Sequence, residues 1–294
     1  WFFVFVKFFL RETKDRVSKI ALESNLYTQR FGSSRLQNTP DSGKNQLCCE
    51  ILLLLQLLCD NCYLPFQNYL REQKVTQSVD LVDEVCELLL VLKPCESFEL
   101  DRLILQCLKT LTDFCQGPCS ENQKKFGNNL LIYNFFQQVF EFQHNFEEGL
   151  YFDILSETLN FLHSLLEEDT NRNISKIMVK RLDLGTLLRI STQIYLKFIK
   201  NKEQVVNQEG KGQYIPWLKF LELSEYYLDT REQLIIEIGF KISTMFLTLE
   251  DRVPQKLAIK LQVLNSELNQ DIKSKNFFGA LVASEEHENL RELL

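Results

Sequence analysis

The chain has 294 residues and a formal net charge of −7. This acidic balance argues against nucleic acid or an anionic membrane surface as its main partner. Apolar residues make up 45% of the chain and charged residues 25%, which allows a sizeable core. Ten glycines and six prolines are about 5% of the residues, against about 12% in average proteins. The composition therefore excludes collagen-like and turn-rich β chains and favours helices.

The N-terminal part combines an apolar start with a polar stretch. Residues 1–24 predict a helix that begins with WFFVFVKFFL. Neither this start nor ILLLLQLL (51–58) reaches the roughly 20 apolar residues that a membrane-spanning helix needs, so we expect no span in this segment. We expect the apolar start to be covered by a partner domain. Residues 25–46 are polar and contain Gly, Ser and Pro, which predicts a loop or linker.

From residue 46 onward, apolar residues recur at helical spacing. The predicted helices are 46–59, 62–73, 78–93, 98–116, 120–145, 148–168, 172–203 (broken near 183–185), 212–228, 230–249, 253–273 and a weakly patterned tail. Helices of about two to six turns with short connections predict an all-α fold, an armadillo-like solenoid of antiparallel helix pairs. We expect residues 47–204 to form one domain and 205–294 to continue the same solenoid or to form a following module.

Signatures of enzymes are scarce in this sequence. His144, His163 and His287 lie outside any metalloprotease or nucleophile pattern, and His163 fits a partly buried helix position. The sequence contains no phosphate-binding glycine loop and no nucleophile elbow. We therefore predict that the chain is not an enzyme.

All nine cysteines lie between Cys48 and Cys119. A long helical chain favours reduced thiols over a disulfide framework. Two close pairs, Cys59 with Cys62 and Cys115 with Cys119, offer four thiols that zinc can use. These cysteines also continue apolar helical runs, as small buried residues do. Buried free thiols are the favoured interpretation, and a zinc-stabilised domain is an alternative.

The end of the helix predicted at 98–116 has clear boundary chemistry. Gly117 is suited to the left-handed conformation that ends a helix, and Pro118 prevents the helix from continuing. The run SENQ (120–123) then has the S-x-x-Q pattern of a capping box, which predicts the start of the next helix.

Two aspartates lie at positions that are awkward for a carboxylate. Asp113 is in the last turn of the predicted helix 98–116, where the helix dipole disfavours a negative charge by about 0.3–1 kcal/mol. Asp60 follows the predicted helix 46–59, although it is also suited to cap the next helix. Solvation or pairing with Lys or Arg explains both positions. A bound cation would reverse both penalties, and calcium prefers carboxylate oxygens.

Two blocks of the sequence resemble a known family. The first is LLCDN (57–61) followed by FQNYLR (66–71), and the second is LTDFCQGPC (111–119) followed by ENQ (121–123). Together they resemble the associated homology domain of intracellular calcium-release channels, the inositol trisphosphate and ryanodine receptors. CQGPC with ENQ is more similar to the inositol trisphosphate receptor, and FQNYL to the ryanodine receptor. The resemblance covers about residues 50–127 and continues more weakly to about 204.

The resemblance implies a role for the chain in a larger assembly. It implies a cytoplasmic domain near an endoplasmic-reticulum-type membrane, in a homotetrameric channel, in contact with other domains of the same channel chain. There the domain would relay ligand and calcium sensing to the pore. The alternative is a helical-solenoid interaction scaffold that senses no ion, because a solenoid by itself carries no function.

The resemblance also implies an activating calcium site. Its two main carboxylates would come from Asp60 and Asp113, where the family has Glu. Gln116 matches a family position that supports the ligands, and Cys62 stands where the family often has His. Asp is one methylene shorter than Glu, which predicts weaker binding or loss of the site. The family takes a further ligand, a backbone carbonyl, from a region outside this chain.

Overall fold

The computed structural model describes residues 2–31, 42–74, 78–94, 98–142, 150–167, 173–194 and 230–249. Every regular element in these ranges is a helix, which confirms the all-α prediction. The helices are α1 (Phe2–Phe31), α2 (Ser42–Leu58), α3 (Leu64–Arg71), α4 (Leu81–Val91), α5 (Phe98–Cys115), α6 (Ser120–Gly127), α7 (Leu130–Glu141), α8 (Tyr151–Leu166), α9 (Asn173–Arg181), α10 (Leu184–Ile194) and α11 (Thr230–Leu249). Asp60–Cys62 forms a short turn between α2 and α3, which we call the 60–62 turn.

The predicted linker differs from the structure at both ends. α1 continues to Phe31 and α2 already begins at Ser42, so only residues 32–41 of the interval 25–46 lie outside the described helices. Polar residues do not stop a helix by themselves, and the first glycine of this interval is Gly32.

The helix predicted at 120–145 is two helices. α6 ends at Gly127, and the side chain of Asn129 accepts a hydrogen bond from a backbone N–H in the first turn of α7. Gly127 also lies against Ile174, where a Cβ would come within 2.7 Å of the isoleucine side chain. Apolar periodicity continues through such a break, which is why the pattern did not indicate it.

The break predicted near 183–185 is confirmed, because α9 ends at Arg181 and α10 begins at Leu184. Asp183 caps α10: its carboxylate accepts hydrogen bonds from the N–H of Gly185 and the hydroxyl of Thr186. The helix predicted at 230–249 coincides with α11. The predictions at 212–228, at 253–273 and in the tail lie outside the described residues.

The described helices divide into two units, with the boundary between Leu182 and Asp183. In the first unit α5 is the central helix and packs against α2, α4 and α8. Its inner face, which includes Leu103, Cys107 and Phe114, is fully buried. In the second unit α10 packs against α11. The solenoid arrangement stays a prediction.

α1 packs on α4 through an apolar face and a row of ion pairs. Its inner side chains recur at helical spacing and are buried. Beside them, the guanidinium of Arg11 donates to both oxygens of Glu84 at 2.9 Å, and Lys7 lies 3.5 Å from the same carboxylate. Lys14 pairs with Glu87. Among the described helices, none is long and apolar enough to cross a membrane.

Candidate cation site at the junction of α3, α5 and α8

The two sequence blocks meet at one junction of helices. The first block forms the end of α2, the 60–62 turn and α3. The second forms the end of α5, the connection 116–119 and α6. The 60–62 turn contacts α5, and α3 contacts α6. Residues that are far apart in the sequence are therefore brought together around the end of α5.

Gln67 joins α3 to the end of α5. Its side-chain amide nitrogen donates to the backbone oxygen of Asp113 at 2.7 Å and to that of Gln116 at 2.8 Å. The last turn of a helix leaves carbonyl groups without partners inside the helix. Gln67 therefore satisfies the carbonyl of Asp113 in α5 and that of Gln116 just after it, from a neighbouring helix.

Asn122 satisfies a further carbonyl of the same turn. Its amide nitrogen donates to the backbone oxygen of Phe114 at 2.8 Å, and its side-chain oxygen accepts from Arg71 at 2.6 Å. Arg71 donates from its other terminal nitrogen to Asn68 at 2.7 Å. The motif residues FQNYLR and ENQ thus form one hydrogen-bonded network that fixes α3, α5 and α6.

Gly117 lies at the centre of the junction, and its φ of +99° confirms the predicted left-handed end of α5. Its N–H donates to a carboxylate oxygen of Glu167, just after α8, at 3.0 Å. A Cβ at this position would lie 2.2 Å from the Cβ of Cys62. Only glycine therefore allows the 60–62 turn to approach the end of α5 this closely.

The predicted capping box at residues 120–123 is wrong. The residue before α6 is Cys119, and no side chain caps the helix there. Gln123 donates instead to the backbone oxygens of Ser164 and Glu167 at 2.8 and 3.0 Å. Its amide satisfies the end of α8, as the amide of Gln67 satisfies the end of α5.

The 60–62 turn has an unusual backbone. Asn61 and Cys62 both adopt positive φ, 55° and 56°. Asn tolerates this region, whereas for Cys the conformation costs on the order of 1–3 kcal/mol unless packing holds it. Asp60 is exposed and accepts a hydrogen bond from the N–H of Asn61 at 2.8 Å. Strained, consecutive left-handed residues of this kind often accompany functional sites.

Asp113 is half-buried and surrounded by negative charge. Burial raises its pKa above the ordinary aspartate value, and the carboxylates of Asp60 and Glu157 raise it further. A hydrogen bond from Gln56 acts in the opposite direction. Gln106 donates to the side-chain oxygen of Gln56 at 2.8 Å, which leaves the amide nitrogen of Gln56 to face Asp113. Asp60 and Asp113 are thus close enough to interact electrostatically.

The two aspartates lack a basic partner in the part of the chain that the structure describes. The ion pairs found there include neither Asp60 nor Asp113. Every charge of the described residues that acts on the pKa of Asp113 is negative. Pairing with Lys or Arg, one of the two ordinary explanations for their positions, is therefore not found among these residues.

The thiols of Cys59 and Cys62 at the junction have raised pKa values. The pKa of the exposed Cys62 is raised by partial desolvation and by Glu167, Asp113 and Asp60. Burial raises the pKa of Cys59 to about 12. Within the described ranges the cysteines are free, and no group of three or more His, Cys, Asp and Glu side chains is placed to hold a metal. The zinc alternative finds no ligand set in these ranges.

The sequence patterns single out the two aspartates but not the residues around Asp113. Gln56 and Gln106 are single amides in otherwise apolar helical runs, a signal that was present in the sequence. Gln67 is marked in the sequence only as part of the motif FQNYLR. Glu157 and Glu167 lie on α8 and at its end, in no motif, and only the fold brings them to the junction.

Comparison with known proteins identifies the family of the residues that form this junction. Residues 42–133 match the family described as "RyR and IP3R Homology associated". A stretch of 97 residues, 28% of this chain, is 38% identical to the inositol 1,4,5-trisphosphate receptor itr-1 of Caenorhabditis elegans. That stretch spans 3% of the receptor. Residues 42–133 are therefore a domain of the ryanodine and inositol trisphosphate receptor family, as the two sequence blocks predicted.

Proposed function

We propose that this chain is a cytoplasmic coupling segment of an intracellular ligand-gated calcium-release channel, and that Asp60 and Asp113 form a calcium-sensing site in it. The family match of residues 42–133 supports the proposal that the chain is part of a channel. The observation that carries the site is the environment of Asp113, a half-buried carboxylate on which only negative charges act among the described residues. Unpaired, mutually repelling carboxylates of this kind are typical of functional positions.

The donor set fits a hard cation. Two carboxylates supply oxygens of the kind that calcium prefers, and the neutral thiol of Cys62 is a poor ligand for it. When bound, calcium supplies the positive charge that offsets the repulsion between Asp60 and Asp113. Calcium takes six to eight oxygens, so the remaining ligands come from water and from groups outside these two residues.

The residues of the junction have separable roles in this proposal. Asp60 and Asp113 bind the ion from two different elements, the 60–62 turn and α5. Gln56 orients the carboxylate of Asp113, and the turn that contains Gln116 ends α5 beside it. An ion that joins the turn to α5 favours the conformations in which the two are close, and this preference couples binding to the rest of the channel.

The proposed setting follows from the resemblance. The segment would lie on the cytoplasmic face of an endoplasmic-reticulum-type membrane, in a homotetramer, and contact other domains of the same channel chain. In that setting the junction passes calcium occupancy to the pore without itself entering the membrane.

The test is the pair of substitutions Asp60→Asn and Asp113→Asn in the complete channel. We expect channel activation to require more calcium, because two charged ligands are lost, while circular dichroism shows an intact domain. Asp15→Asn, an exposed carboxylate on α1, serves as the control and should leave calcium activation unchanged. An unchanged calcium dependence of the double variant would falsify the ion site.

A second candidate is an interaction scaffold that senses no ion. It is favoured by the exposed aromatic face at the start of α1, where Phe2, Phe5 and Phe8 are 47%, 57% and 68% exposed. Such a face suits a protein partner. Under this alternative, substituting the aspartates has no effect on calcium response, whereas Phe5→Ser with Phe8→Ser disrupts assembly.

A further inference from the structure

Gln67 makes the hydrogen bonds that a continuing helix would make at the end of α5. In an α-helix the carbonyl of Asp113 accepts from the N–H four residues later, which belongs to Gly117. That N–H donates to Glu167 instead. The amide of Gln67 is the donor found at the carbonyls of Asp113 and Gln116. Gln67 is 1% exposed, so these bonds form away from bulk water.

The same residue connects the two halves of the candidate site. The 60–62 turn is closed by a hydrogen bond from the N–H of Tyr63 to the backbone oxygen of Cys59, and the N–H of Gln67 donates to Tyr63 at 3.2 Å. Asp60 is therefore joined to Gln67 by a short length of hydrogen-bonded backbone. From Gln67 a single side-chain hydrogen bond reaches the backbone of Asp113.

The short side chain of aspartate makes this connection important. Calcium holds each oxygen at about 2.3–2.6 Å, and a carboxylate with one methylene group has little reach to compensate for a displaced backbone. We propose that Gln67 is a positioning residue of the calcium site. Through the carbonyls of Asp113 and Gln116 it sets the separation between α5 and the 60–62 turn at which Asp60 and Asp113 share one cation. This inference rests on the function proposed above.

The experiment compares two buried glutamines in the complete channel, because the resemblance implies a further calcium ligand from a region outside this chain. Gln67→Met keeps the length of the side chain but removes its donors. Gln73→Met is the matched control, because Gln73 is also buried and its amide bonds the carbonyls of Tyr69 and Val79 between α3 and α4, away from α5. Binding of calcium and magnesium is measured by calorimetry, with terbium(III) luminescence as a second probe. Thermal unfolding of the metal-free protein is followed by circular dichroism.

We expect Gln67→Met to weaken calcium binding by about 10- to 100-fold, the range for partners that orient metal ligands. The preference for calcium over magnesium should also fall, since the two ions demand different geometries. Gln73→Met should lose comparable thermal stability and keep its calcium affinity within about twofold. Equal weakening by both variants, or no weakening by Gln67→Met, overturns the positioning role.

A third protein, Asp60→Asn with Asp113→Asn, separates this inference from the proposed function. If the double variant binds calcium as tightly as the wild type, the ion site fails and Gln67 has nothing to position. If the double variant loses binding while Gln67→Met retains it, only the role of Gln67 is rejected. A complete wild-type channel that binds neither calcium nor terbium(III) overturns both.

Discussion

Acidic residues are in opposite environments in two regions of the chain, the interface between α1 and α4 and the junction of α3, α5 and α8. On α4, Glu84 is 6% exposed and forms ion pairs with Arg11 and Lys7. Glu87 forms an ion pair with Lys14. At the junction, within the described ranges, the carboxylate of Asp113 accepts a hydrogen bond from Gln56 and is repelled by Asp60 and Glu157. At the first interface, basic residues of the same chain neutralise these carboxylates. The second lacks positive charge among the described residues, which is what a site for an external cation requires.

The pKa values reflect this contrast. Lys14 lowers the pKa of Glu87 through a hydrogen bond and its charge, whereas burial and nearby acids raise that of Asp113. A paired carboxylate stabilises the fold when it is ionised, and a repelled one destabilises it. Residues that oppose folding in this way are commonly retained for function.

The largest expected effect comes from breaking the junction at its glycine. Gly117→Ala places a Cβ against Cys62 and forces a non-glycine residue to φ +99°. We expect a loss of about 3 kcal/mol in the free energy of unfolding, from backbone strain and overpacking together. Urea denaturation measures this.

Gly43 provides the control, because a Cβ there meets nothing within 4 Å. Gly43→Ala, inside α2, should leave stability unchanged or raise it. Adding Cys62→Gly to Gly117→Ala should restore part of the loss by removing the clash. If the two glycine variants are equally stable, the close approach at the junction is refuted.

A smaller effect is expected from breaking the α1–α4 interface at Glu84. Glu84→Gln removes the charge that Arg11 and Lys7 share, so the midpoint of thermal unfolding should fall at low salt. The loss should shrink as salt is added, because part of the interaction is screened. Glu121→Gln removes an exposed pair with Lys124 and should change nothing measurable. Equal, salt-independent effects of the two variants would contradict the assigned role of this interface.

Asp113→Asn should stabilise the protein, in contrast to Glu84→Gln. In metal-free protein at neutral pH we expect stabilisation by about 0.3–1 kcal/mol, because a carboxylate is removed from the end of a helix. Asp15→Asn, in the middle of α1, should have little effect. Urea denaturation with a chelator present measures both. A clearly destabilised Asp113→Asn would mean that the carboxylate is satisfied by the fold and is not held ready for a cation.

Sequence and structure agree where the evidence is local. Apolar spacing predicts the helices. Gly117-Pro118 predicts the end of α5, because glycine adopts the left-handed conformation there and proline cannot continue the helix. The dipole at the end of α5 also marks Asp113. The role of Gln67 depends on a contact between helices, as does that of Glu167, and no local pattern encodes such contacts. Gln123 shows this directly, since its motif predicts a cap on α6 and its amide satisfies α8.

The pH dependence is the smallest effect and compares the two regions directly. The pKa of Asp113 is raised above 3.8, so its contribution to stability is fully present below that value and is lost as pH rises through the raised pKa. The pKa of Glu87 is lowered below 4.5, so its contribution is present above that value and is lost as pH falls through the lowered pKa. The free energy of unfolding is therefore measured between about pH 3 and pH 7 for Asp113→Asn and Glu87→Gln.

The stability gained by Asp113→Asn over wild type should grow with rising pH. The stability lost by Glu87→Gln should vanish as pH falls. Parallel curves for the two variants would remove the distinction between a paired and an unpaired acid.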